Sequence, residues 1–218
     1  MARSKSFNEQ EVVTQAMFAF LERGYEATSL SAIEKATGVD RKGLYNTFGD
    51  KEGLFVAALQ RFIETGSTKH ILFTESEGAA FSEIVSAFEF IVAYSQTHMG
   101  QYGCLACNSL REPIGESPNV RPILQGYLTR VRSAFQNALT NELQNYDIPT
   151  QVIDKLAHAL VGTFVGTFVL ARSPIEAQVL VDFVELSLGQ LKGQLQTLKS
   201  GGGLQSVIWL RSGTGAAR

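Results

Sequence analysis

Cysteine is scarce in this chain: Cys104 and Cys107 are the only two in 218 residues, too few for the disulfide framework that staples a small secreted fold. Charge of one sign is lacking as well. Nineteen Lys and Arg stand against 21 Asp and Glu, a net charge of -2, which excludes a surface that is basic throughout. Long hydrophobic runs are missing too. The best candidate, Leu156 to Ala171, falls short of the roughly 20 residues a membrane span needs and carries His158, so a buried helix and no membrane are expected. The opening MARSKSFNEQEVV has no apolar stretch of the signal-peptide kind, and a cytoplasmic location is expected. No second Cys pair supports a zinc site, and no metal or cofactor is expected. With 44% hydrophobic and 18% charged residues, the chain has enough apolar surface for a sizeable core, which excludes disorder over most of its length. It shows no strand alternation and no repeat, so an all-α fold is expected.

The richest segment is SLSAIEKATGVDRKGLYNTFGDKEGLF, residues 29 to 55. Ser29 is placed to cap a short helix in which Ile33 and Ala36 face inward, and Gly38 can take the left-handed conformation that ends it. Val39 packs at the turn. Asp40 caps a second helix of about two turns, with Leu44 and Phe48 inward and Arg41, Lys42, Tyr45 and Asn46 outward. Gly49-Asp50 ends that helix and opens another. Two short helices crossing at a tight turn are the layout of a helix-turn-helix, whose second helix presents its first residues to bases and phosphates in the major groove. A cation pair with a phenol and an amide suits that task. An exposed polar face on an ordinary helical domain is the competing reading. The first 65 residues hold eight Lys and Arg against nine Asp and Glu, so any positive surface there must be local.

The stretch GYEATSLSAIEKATGVDRKGLYNTFGDKEGLF, residues 24 to 55, closely resembles the N-terminal signature of TetR-family transcriptional repressors. The shared positions are Gly24-Tyr25, Thr28-Ser29, Ala36-Thr37-Gly38-Val39, Leu44-Tyr45, Asn46-Thr47-Phe48 and the Lys51-Glu52-x-Leu54-Phe55 that opens the fourth helix. The resemblance implies an all-α homodimer without catalytic residues. Its N-terminal three-helix helix-turn-helix domain would bind a palindromic double-stranded operator, and its larger C-terminal helical domain would bind a small-molecule inducer and dimerise. Ser29, Arg41, Lys42, Gly43, Tyr45, Asn46 and Lys51 become the candidate DNA contacts. Two positions depart from the pattern. Gly43 stands where Ser or Thr is common, and Glu34 where alanine is.

Domain bounds of 1–66, 67–199 and a tail at 200–218 are expected. Helix one has Asn8 as cap, Glu11 in a capping-box relation and Phe7 placed to staple onto Val12. Helix four, Lys51 to about Glu64, is apolar at Leu54, Phe55, Ala58, Leu59 and Phe62 and can join the reading head rigidly to the body. Ser67 to Gly78 reads as a loose helix end and a loop. Phe81 to Met99 reads as an aromatic helix, and the resemblance shifts part of it from core to inducer cavity. Phe88, Tyr94, His98, Cys104, Cys107 and Tyr127 are the candidates for an apolar or aromatic ligand, with Tyr94, His98 and Cys104 as its polar handles.

A helix starting near Cys104 would lower that thiol's pKa, with Cys107 one turn on as a resolving partner. A redox- or electrophile-sensing repressor therefore remains open, as does a helical thiol enzyme. Further helices are expected from Ser117-Pro118 to about Asn145, from Thr150 to Arg172, and from a Ser173–Glu176 capping box to about Lys199. The last two are the expected dimer interface, through Gly162, Gly166, Phe168, Phe183 and Leu188, with the Gly162/Gly166 strip admitting a second backbone.

Overall fold

The computed structural model describes residues 7–65 and 69–202. Among them are ten α-helices, two short 3-10 turns and no strand. The helices are α1 (Glu9–Arg23), α2 (Leu30–Thr37), α3 (Arg41–Phe48), α4 (Lys51–Thr65), α5 (Lys69–Glu75), α6 (Phe81–Ser95), α7 (Leu105–Ser109), α8 (Arg121–Leu143), α9 (Thr150–Arg172) and α10 (Ala177–Lys199).

The head is built as its punctuation dictates. Asn8 Oδ1 accepts from the Gln10 and Glu11 amides at the start of α1, which buries Val12, Ala16, Met17, Phe20 and Leu21. Along α4, Leu54, Phe55, Ala58, Leu59 and Phe62 are buried as their spacing requires. Phe20 and Phe55 meet edge to face at 5.0 Å, and Tyr25 closes the cluster at 5.0 Å from Phe55. Of the inward pair expected in α2, Ile33 is buried and Ala36 is exposed. An eight-residue helix crossing its neighbour presents one turn to the core, and Ile33 fills it.

In the body, α9 lies between α8 and α10 and also touches α6. Phe164 of α9 meets Tyr127, Phe135 and Phe168, and Phe88 of α6 stacks on Phe135. At 23 residues α9 is long and apolar enough to cross a membrane, longer than the run read from the sequence. Its packing gives the reason for that composition, because Ile153, Leu156, Ala157, Leu160, Phe164, Thr167 and Phe168 are buried.

Several element boundaries differ from expectation. The segment read as a loose helix end and a loop holds α5, which α8 ties down: Arg130 makes a bidentate pair with Glu75 at 2.6 and 2.8 Å, and Asn137 Nδ2 donates to the Thr74 carbonyl at 3.0 Å. The aromatic helix stops at Ser95 rather than Met99. Thr97 is the cause, since its Oγ1 donates to the Tyr94 carbonyl and accepts from the Gly100 amide, a local alternative to the helical ladder. Helix α8 begins at Arg121, with Pro122 rather than Pro118 in the first-turn place that tolerates a missing N–H. Thr150 is the first residue of α9 rather than its side-chain cap, and α10 begins at Ala177 after Glu176, without a capping box. Of the expected tail, residues 203–218 lie outside the described residues.

Candidate nucleic-acid interface and body cavity

The reading module follows from short-range capping. The Ala32 amide donates to Ser29 Oγ at 3.2 Å, and Gly38 at φ 67°, ψ 8° ends α2. That left-handed turn favours glycine. Asp40 Oδ1 accepts from the Gly43 amide at 2.7 Å, and Val39 and Leu44 are buried beneath the turn. Both departures from the signature have a place in this geometry. Glu34 reaches across the turn and accepts from the Arg41 amide at 2.6 Å, putting a second carboxylate on the positive end of α3. A Cβ on Gly43 would stand 2.8 Å from Val39 Cγ1 and 3.0 Å from Asp40 Oδ1, so a larger residue here requires the Val39 side chain to shift. The Arg41 and Gly43 amides are already engaged, and contacts to a phosphate from this end fall to side chains.

Arg41, Lys42, Tyr45 and Asn46 are all exposed on α3, and Ser29 is exposed at the head of α2. Lys51, at the first turn of α4, holds its ammonium 4.2 Å from the centre of the Tyr25 ring. Burial there lowers its pKa, and Glu26 and Glu112 oppose that effect. Asp40→Ala should cost about 1 kcal/mol by removing the cap of α3, read by chemical denaturation. An unchanged midpoint would show that Glu34 alone holds that end.

Residues 12–58 match the model of bacterial regulatory proteins, tetR family. The chain is a TetR-family transcriptional repressor. It is 29% identical to the HTH-type transcriptional repressor ComR of Escherichia coli, over 85% of this chain and 90% of that protein. It is 26% identical to the HTH-type transcriptional regulator YezE of Bacillus subtilis, over 88% of this chain and all of that one. Among solved structures, a cysteine mutant of the TetR-family regulator CifR, complexed with 26-bp double-strand operator DNA, shares the fold. Its TM-score is 0.74 at 24% identity, over 86% of this chain and 98% of that chain. The TetR family consists of DNA-binding regulators, and the thiol-enzyme reading falls with that assignment.

In the repressor, the head is joined to the body by polar ties that sequence reading missed. Arg172, in the last turn of α9, donates from Nη1 to the carbonyls of Leu21 at 2.9 Å and Tyr102 at 3.1 Å, and from Nη2 to that of Glu22 at 3.1 Å. The Glu112 carboxylate accepts from the Tyr25 and Glu26 amides at 2.7 and 3.2 Å. It lies where a Cβ of Gly24, at φ 81°, would be. Glu52 accepts from Ser117 Oγ and from Asn119 Nδ2. Nothing local marks these residues, because their partners lie between 65 and 151 positions away.

A cavity of about 430 Å³ sits at this joint. Helix α1 contributes Met17, Phe18 and Leu21, α4 contributes Arg61 and Phe62, and α6 contributes Phe90, Ile91 and Tyr94. Thr14, Thr65, Gly103, Cys104 and Phe168 also line it. Of the six nominated ligand residues, Tyr94 and Cys104 line it. Phe88 is in the core against Phe135, Cys107 is buried in α7, and Tyr127 lies behind Cys104 with its hydroxyl 3.7 Å from Sγ. His98 is exposed, edge-on to Tyr102. The α1 and α4 walls carried no sequence signal, since both helices read as core of the head.

The thiols differ from expectation. A helix does start there, with Cys104 the residue before α7 and its sulfur accepting from the Cys107 amide at 3.5 Å, but the setting of the two sulfurs departs from a reactive pair. Both thiols are buried. The hydrogen bond to Cys104, and then burial, push the Cys107 thiol well above its ordinary range, opposite to what a resolving thiolate needs. Among the described residues no three His, Cys, Asp or Glu side chains come together as a metal group.

The expected dimer residues separate into two sets. Phe168 and Leu188 are buried within the chain itself, and a Cβ on Gly166 would meet the Phe183 ring at 3.3 Å. Gly162 has open space above it, and Ile175, Val179 and Leu186 are exposed.

Proposed function

We propose that the repressor binds a palindromic operator as a homodimer, through Ser29, Arg41, Lys42, Tyr45, Asn46 and Lys51, with the engaged Gly43 amide dropping out of the expected set, and releases it when a small apolar or aromatic inducer enters the cavity at the joint. The chain then works in the cytoplasm, where its DNA is. The observation that carries this reading is the cavity's placement. Its walls come from α1 and α4 of the reading head and from α6 and α9 of the body, so a bound molecule touches both. A ligand shifts an equilibrium only by its differential affinity for the two arrangements, typically worth about 1–3 kcal/mol of coupling. The walls fit the ligand class, being largely hydrophobic and aromatic with a few polar groups. Thiol sensing through Cys104 and Cys107 is the weaker reading, because both sulfurs are buried and Cys107 is held protonated.

Selection from a random DNA pool should enrich a palindrome. Its Tyr45→Phe protein should bind about 1 kcal/mol more weakly through one lost phosphate hydrogen bond, and Lys42→Ala should lower the salt slope by about one. A pool that yields no palindrome refutes the operator reading. Screening apolar and aromatic compounds for release of the selected operator tests induction, and no release by any compound defeats it. Release by diamide in the wild type, lost in Cys104→Ser, would reverse the order of the two sensing readings.

A further inference from the structure

The cavity holds one cation that the fold does not use. Arg61 Nε is buried and has no hydrogen-bond partner among the described residues. Unpaired buried donors are rare because desolvation is lost without compensation. Among the described residues no Asp or Glu lines the cavity, and Arg61 is the sole charged lining residue. The neighbouring Thr65 hydroxyl donates to the Arg61 carbonyl at 2.6 Å. Tyr94, also on the wall, has its pKa raised first by burial and then by Cys104, so it stands as a neutral phenol able to donate.

We infer that the ligand of this cavity is an apolar monocarboxylate, a fatty-acid-like or arylalkyl carboxylic acid, whose carboxylate is held by Arg61 while its tail lies among Phe18, Phe62, Phe90 and Phe168. This rests on the inducer reading above and names the ligand's chemistry. A planar guanidinium offers Nε and one terminal nitrogen as a fork that matches a carboxylate with two parallel hydrogen bonds. A neutral apolar ligand leaves Nε unpaired. A doubly charged phosphate leaves one charge uncompensated among aromatic walls, where an unpaired charge is costly. A small inorganic anion leaves those walls unfilled. One positive group in the wall of a largely apolar cavity selects one negative group on an apolar body.

The experiment uses the full chain with decanoate and 4-phenylbutyrate, each paired with its primary amide, which keeps the shape and removes the charge. Calorimetry gives affinities, and fluorescence anisotropy of labelled operator gives release. Each carboxylate is expected to bind about tenfold or more tightly than its amide. Arg61→Leu should abolish that preference while leaving operator affinity without ligand unchanged, and Arg61→Lys should keep part of it. The wild-type comparison stands even if a variant folds poorly. Equal affinity of acids and amides in the wild type, or a preference that survives in Arg61→Leu, overturns the inference. Amides that bind equally well and release the operator would sink the carboxylate and leave the inducer reading standing. Failure of all four compounds to bind also overturns the carboxylate, and induction is then decided by the broader screen.

Discussion

Arg172→Ala should destabilise the repressor by about 2–3 kcal/mol and weaken the response of operator binding to ligand. The guanidinium donates to the Leu21, Glu22 and Tyr102 carbonyls, two of them at the end of α1 where carbonyls lack helical partners. A hydrogen bond from a charged donor is worth about 1.5–3 kcal/mol. The bond to Glu22 is exposed and counts for less. A cation at a helix C-terminus adds a favourable dipole contribution of about 0.3–1 kcal/mol. At roughly 2–4 °C per kcal/mol for a chain of this size, the loss is plain in a thermal melt. Its functional weight comes from position. Helix α9 also contributes Phe168 to the cavity wall, and Phe168 lies one turn before Arg172. A ligand that moves the end of α9 therefore moves the clamp on α1. A ligand that still binds Arg172→Ala should release the operator less completely, with the coupling reduced by about 0.5–2 kcal/mol. Arg172→Lys should rescue little, because an ammonium lacks the planar fork that reaches separate carbonyls. An unchanged Tm together with unchanged ligand-driven release would remove Arg172 from both roles.

The contrast between this clamp and the reading head explains what was legible beforehand. Ser29, Gly38 and Asp40 act on backbone groups within about four positions of themselves, so their residue types and spacing suffice to place α2, the turn and α3. The buried faces of α1 and α4 were legible for a similar reason, since a 3.6-residue period is a local property. The body's helices were legible as helices, but their ends were set by competition. Ser117-Pro118 and Ser173–Glu176 carry good starting signals, yet the chain turns through each before the helix begins. Helix α5 owes its order to Arg130 and Asn137, more than 50 positions on. The cavity was half legible. Tyr94 and Cys104 could be nominated, whereas Arg61 and Phe18 enter it only because α4 and α1 cross the body at that point. Apolar residues on α9 and α10 read as dimer surface, with intrachain core as the alternative, and only packing separates Phe168 and Leu188 from Leu186.

That separation makes assembly testable. Leu186→Arg should convert a dimer into a monomer while leaving the chain folded. Leu186 is 68% exposed, and a surface substitution of that kind ordinarily changes monomer stability by less than about 0.5 kcal/mol. In a two-fold interface the same substitution buries two like charges, one from each chain, and an uncompensated buried charge costs about 3–5 kcal/mol. Gly162→Leu attacks the same face from α9. Helices α9 and α10 are antiparallel, and the approach of Gly166 to Phe183 puts Gly162 level with Leu186 and Ser187. A Cβ at Gly162 meets nothing within 4 Å among the described residues, whereas one at Gly166 comes within 3.3 Å of the Phe183 ring. Gly162→Leu therefore probes the interface without disturbing the monomer, which Gly166→Leu cannot do. Each variant should scatter light as a monomer at micromolar concentration and keep its helical circular dichroism. Operator affinity should fall toward the non-specific level, roughly 4–10 kcal/mol weaker than specific binding, because one reading head reaches a single half-site. Dimers of unchanged operator affinity in both variants would show that the chains meet through another face.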